Sequence, residues 1–102
     1  MSTLPRGMSV KQTVVTLTAA TDTTLAAANP LRKYLAVCNI NTGLVSLAFD
    51  KAAVAGQGWP LSGASSAGDQ GGAMIWESSA VTTQALHGIS TAGSTVVVLE
   101  GI

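Results

Sequence analysis

The sequence predicts an all-β chain: a small antiparallel β-sandwich or jelly-roll-like barrel of seven to eight strands, preceded by an extended N-terminal arm. Three observations carry that expectation. Short runs rich in Val, Thr, Leu and Ile recur along the chain, from Val10 to Leu17 and again from Val96 to Leu99, and β-branched residues pack well on a pleated surface. Turn residues punctuate these runs at Asn29-Pro30, Asn41-Thr42-Gly43 and Thr91-Ala92-Gly93, the rhythm of a sandwich or barrel. No segment holds a helical period; Ala52–Ala55 is too short and is bounded by Gly56.

Residues 1–9 contain Pro5 and Gly7 and no apolar alternation, so they read as the arm. Residues 10–102 read as one domain, the only reasonable count at this length. Val10–Ala20 is the first strand; Lys11 and Thr13 share a face with Val15 and Leu17, so it is not cleanly one-sided. Thr21-Asp22 turns the chain into a short strand, Thr23–Ala28. Asn29-Pro30 stops it, because the residue before proline is held extended and proline offers no donor. Arg32–Ile40 and Leu44–Asp50 are expected to form a hairpin across Asn41-Thr42-Gly43, whose final glycine suits a type I turn with a left-handed bulge residue. Val45, Leu47 and Phe49 alternate with Ser46, Ala48 and Asp50, placing the first set on the core face with Leu35 and Val37. Residues 51–72 are dense in Gly and Ser and read as loops, with a short strand near Trp59–Leu61. Ala73–Glu77, Gln84–Ser90 and Ser94–Glu100 complete the strands, the last two as a second hairpin across Thr91-Ala92-Gly93. The run Val96–Leu99 reads as buried on both faces.

Charge is the strongest functional signal. The chain has 102 residues of which 10% are charged, five basic and five acidic, against about 25% in ordinary soluble domains. A folded monomer of this size exposes roughly 5,300 Å², leaving about one charge per 500 Å². Net charge near zero favours association, and depletion of charge marks the centres of protein–protein interfaces. The chain therefore reads as a subunit that neighbours cover. A domain this small buries only about 60–65% of its unfolded surface, so assembly would add to a modest intrinsic stability. Arg6, Lys11, Arg32, Lys33 and Lys51 are scattered, which argues against the basic stripe a nucleic-acid partner needs. No run reaches the ~18 apolar residues of a membrane span, and the N-terminus lacks the apolar stretch of a secretory signal. Synthesis in a cytoplasm without export follows as the expectation.

Candidate chemistry is sparse. His87 is the only histidine, and neither Asp69 nor Glu77 is placed by the sequence to serve it as a partner carboxylate. Gly88-Ile89-Ser90-Thr91-Ala92 resembles a nucleophile elbow only superficially, since it leads into a strand rather than a helix. The glycines at 56, 58, 63, 68, 71 and 72 lack the lysine and helix start of a phosphate loop. The five acids are dispersed, so no metal cage is expected, nor any other cofactor. Cys38 stands alone and reads as a small buried hydrophobe. Trp76 reads as core or interface. Trp59, beside Pro60 in a Gly-rich loop, is either an anchor at a subunit contact or part of a sugar-stacking surface.

Asn29-Pro30-Leu31-Arg32-Lys33-Tyr34-Leu35-Ala36-Val37-Cys38-Asn39, a Val-x-Leu-x-Phe strand, the Trp59-Pro60-Leu61 turn and the terminal run from His87 to Gly101 together resemble a group of small virion proteins of tailed bacteriophages. In that group an N-P-x-R-(K/R)-x-L-x-(V/I)-x-N strand precedes a β-rich body, and an A-I-(S/T)-x-A-G hairpin precedes the last strand. The likeness covers roughly residues 23–101; the Gly/Ser segment at 62–72 is longer than the group's pattern. The resemblance implies a non-enzymatic β-sandwich module of the particle: a capsid decoration (cement) protein, a head fibre or a tail component. On that expectation the chain sits on the capsid surface of a virion, bound to the major capsid protein, as a homo-oligomer with a trimer favoured. Leu4, Pro5, Arg6 and Met8 of the arm, with Trp59 and Pro60, are the expected interface residues. A tail or head-fibre protein contacting a host glycan through Trp59 is the alternative.

Overall fold

The computed structural model describes residues 9–77 and 80–102. Eight strands lie among the described residues: β1 (Val10–Leu17), β2 (Thr23–Ala26), β3 (Tyr34–Asn39), β4 (Val45–Phe49), β5 (Trp59–Leu61), β6 (Ala73–Glu77), β7 (Leu86–Ile89) and β8 (Ser94–Gly101). They form two four-stranded antiparallel sheets, sheet A in the order β1-β8-β3-β6 and sheet B in the order β2-β7-β4-β5. The all-β sandwich predicted from the turn rhythm is therefore present, with eight strands.

Both expected hairpins are absent. β3 lies in sheet A and β4 in sheet B, so Asn41-Thr42-Gly43 carries the chain across the sandwich. β7 and β8 are likewise in opposite sheets, and Thr91-Ala92-Gly93 is a second arch beside the first. The physical reason is that β3 is already bonded on both edges, by β8 and β6, which leaves no ladder for β4. Gly43 serves the crossing by its lack of a side chain: a Cβ there would lie 2.2 Å from the carbonyl oxygen of Gly93. Gly93 itself adopts φ +85°, the left-handed conformation glycine favours. The one true hairpin joins β4 to β5 through residues 50–58, pairing Val45 with Leu61 and Leu47 with Trp59. Pro60 is tolerated there because β5 is an edge strand.

The core lies between the sheets. Leu35, Val37, Val96 and Val98 of sheet A meet Leu25, Val45, Leu47, Leu61 and Leu86 around it, all of them buried. Trp76 packs onto this core from β6, its ring edge-on to Phe49 at 5.2 Å between centroids. Val96–Leu99 is buried on one face only: Val96 and Val98 point inward, whereas Val97 and Leu99 remain half-buried. Cys38 likewise is half-buried, not enclosed.

Two polar side chains tie the layers together. The Asn39 amide, fully buried, donates from Nδ2 to the carbonyls of Gly43, Leu61 and Ser62, and its Oδ1 accepts from Asn41 N and from Ser94 Oγ at 2.7 Å. Arg32 is 3% exposed. It donates to Glu100 Oε2 at 2.7 Å and to the carbonyls of Ala27, Thr82 and Gln84, so one guanidinium fastens the β2–β3 and β6–β7 connections to the end of β8. The Gly/Ser segment 62–72 folds back onto the first arch: Ala64 N, Gly68 N and Gly71 N donate to the carbonyls of Asn41, Ile40 and Asn39.

Candidate functional site: the outer face of sheet A

The two outer faces of the sandwich differ. On sheet B the 50–58 connection folds back over the strands, and Ala53 packs with Ala48 and Ile89 into a small second core. Asp22 fastens this cover, accepting Ala53 N on Oδ1 at 2.8 Å and facing His87 Nδ1 with Oδ2 at 3.2 Å. The partner carboxylate that sequence reasoning could not find for His87 is thus Asp22, brought from the β1–β2 turn. Among the described residues no hydroxyl or thiol side chain is hydrogen-bonded to this imidazole, and the pair acts as a clip on the loop.

On sheet A the 62–72 segment reaches only the border, where Gln70 lines the edge of a groove. The register aligns the sheet's outward positions in rows across the four strands: Val14, Val97, Cys38 and Ala73 in one, Gln12, Leu99, Ala36 and Ile75 in the next, then Val10, Gly101, Tyr34 and Glu77. Thr16 and Thr95 extend it at one end. The only charge among these positions is Glu77, at a corner. Val14 is 56% exposed and Ile75 58%, on the two edge strands. Between them Tyr34, Ala36, Cys38, Ile75, Val97 and Leu99 line a shallow groove of about 180 Å³.

The position of the other charges explains this bareness. Arg32 and Glu100 are paired on each other at the end of the sandwich. Asp22, Asp50 and Lys51 belong to the turns on the sheet B side, and Asp69 lies in the 62–72 segment, where its Oδ2 accepts from Ser66 Oγ. Lys11 sits on the inward row of β1, at its open end, and exposed Lys33 precedes β3 at the end of the face, its backbone N donating to Gly101 O. So the uniform poverty of charge inferred from composition is concentrated on one face. Sequence reasoning missed that face because the apolar β8 run was assigned to a doubly buried strand; the alternation Val14, Gln12 and Val10 on β1 was its available signal.

Leu4, Pro5, Arg6 and Met8, four of the expected interface residues, lie outside the described residues. Ser9 alone of the expected arm is described, and its backbone exchanges two hydrogen bonds with Ile102. Trp59 is 58% exposed and Pro60 is also exposed, on the outer edge of sheet B. They are therefore not part of the uncharged face. Among the described residues no three His, Cys, Asp or Glu side chains gather to hold a metal ion. No family model matches this chain, and no curated protein or solved structure matches it either.

Proposed function

We propose that this chain is a structural subunit of a bacteriophage particle, a capsid decoration protein that binds and stabilises the head shell through many repeated contacts with major capsid proteins. The observation that carries the assembly reading is the uncharged outer face of sheet A, since an exposed apolar sheet face of this kind marks a surface that another polypeptide covers. The strand orders β1-β8-β3-β6 and β2-β7-β4-β5 support reading the fold as a jelly roll of two Greek keys, an architecture common in viral capsid proteins and also in lectins. That support is architectural, because a fold hosts many functions. The motif residues Asn29, Arg32 and Asn39 work in the same direction: they cap, clamp and pin the sandwich, so the resemblance they carry concerns how the module folds.

The mechanism is avidity. Each copy contributes a modest contact, and copies held together raise one another's effective concentration at the shell. A protein that binds only the mature shell stabilises it by mass action. The arm and the Trp59–Pro60 edge are the proposed shell contacts. Purified protein added to heads that lack it is expected to co-sediment in many copies per head and to raise their disruption temperature. Deleting residues 1–9 should lower occupancy. Heads that remain bare at saturating protein would overturn the decoration reading.

One observation favours a second reading: an indole 58% exposed beside an exposed proline offers a stacking platform for a sugar ring, as a tail or head-fibre protein would use. Trp59→Ala separates the two. Lost host adsorption by intact particles supports the glycan role, whereas lost incorporation supports the shell role.

A further inference from the structure

We infer that the outer face of sheet A is the contact between two copies of this chain, packed face to face about a two-fold axis. The inference draws on the same face as the assembly reading and gives a dimer where the resemblance implied a trimer, but it concerns the purified protein alone, so its test needs no particle.

Self-complementarity selects the occupant. In a two-fold contact the same patch meets itself, so any concentrated charge would face its own sign. A surface made for a different partner ordinarily carries charges matched to that partner, which set specificity and association rate. This face has one charged position in four strands, Glu77, at the last residue of an edge strand. Whether the axis runs along the strands or across them, the two Glu77 carboxylates fall apart by the width or the length of the face. Of the remaining positions, Gln12, Tyr34, Thr16 and Thr95 are polar but uncharged, and Val14, Val97, Leu99, Ala36 and Ile75 are small and branched apolar residues of the kind that interdigitate between stacked sheets about 10 Å apart. The molecule already uses that packing internally, between sheets A and B.

The area suits a weak, reversible contact. Four strands of these lengths cover about 450 Å² in plan, so two copies bury on the order of 900 Å², in the range of transient interfaces. The other broad face is not available for the same use, since the 50–58 loop and its Asp22–His87 clip occupy it.

Cys38 lies near the centre of the face, on β3 beside Val97 of β8, and reports on its occlusion. Sedimentation equilibrium across a concentration series should give a monomer at high dilution and twice that mass at high concentration. Over the same range the rate of Cys38 modification by a maleimide should fall several-fold. Ile75→Lys and Val14→Lys, at positions more than half exposed in the monomer, should each hold the protein at monomer mass with an unchanged far-ultraviolet circular dichroism spectrum and make Cys38 labelling independent of concentration. Leu31→Lys, also exposed but off this face, should leave the dimer intact. Three results overturn the inference: monomer mass at every concentration, a trimer, or a dimer unaffected by Ile75→Lys and Val14→Lys.

Discussion

One carboxamide joins parts of the chain that share no ladder. Asn39 sits at the end of β3, and its side chain reaches the first arch at Gly43, the end of β5 at Leu61 and Ser62, and the start of β8 at Ser94. Its two N–H groups serve three carbonyls and its oxygen takes two donors, so an amide is the only side chain of this size that satisfies the site. Asn39→Leu keeps the volume but orphans buried carbonyls and the Ser94 hydroxyl. The cost of such orphaned groups is about 1–3 kcal/mol each, so urea denaturation is expected to lose about 3 kcal/mol or more. Asn41→Ala, whose Oδ1 accepts only the exposed Thr42 N, should lose under about 1 kcal/mol; equal losses would remove Asn39 from this role. Arg32 teaches the matching lesson about reading single residues. Beside Lys33 it looks like one of two surface cations, yet its side chain is enclosed and makes four hydrogen bonds. Its guanidinium fork, which lysine lacks, fits that set of carbonyls.

Strands were easier to read than their connections. Ala73–Glu77 matches its expected bounds, and β8 extends only one residue further than expected, because alternation along a strand is a local property. Whether Asn41-Thr42-Gly43 closes a hairpin or crosses a sandwich depends on which edges of β3 are free, and that is decided by β6 and β8, far away in sequence. Of the seven connections, only β4–β5 stays within a sheet, and it was the one whose long, Gly-containing loop gave no hairpin signature. The arches make a prediction that a hairpin would not. Gly43→Ala drives a methyl against the Gly93 carbonyl, the two arches being in direct contact, and should cost about 2 kcal/mol or more by overpacking. Gly56→Ala, at φ +75° but with open space around it, should cost about 1 kcal/mol through backbone strain alone. Chemical denaturation of the two variants decides this; a harmless Gly43→Ala would mean that the arches do not touch. The candidate face was legible only in part for the same reason. Its residues are apolar in the sequence, but which of them share an outward row is fixed by inter-strand register.

At the scale of the molecule, the balance of charge has consequences that can be measured without any particle. A slab 41 × 28 × 18 Å in extent presents two broad faces, one closed by its own loop and the other left apolar. If that second face closes on a copy, folding and association are linked, and the melting temperature must rise with protein concentration. An uncharged contact also responds to salt in its own way. Sodium chloride screens charge–charge attraction over distances beyond about 10 Å at 0.1 M, and it has little to screen here. Sulfate strengthens burial of apolar surface by being excluded from it. Calorimetric melting at increasing protein concentration should therefore shift upward, with little change on adding sodium chloride and a further rise in sodium sulfate. Ile75→Lys should abolish the concentration dependence, while the dilute protein melts close to its parent. A melting temperature indifferent to concentration would leave the face bare in solution. A dimer that sodium chloride dissociates would place the contact elsewhere, near the charged turns on the sheet B side.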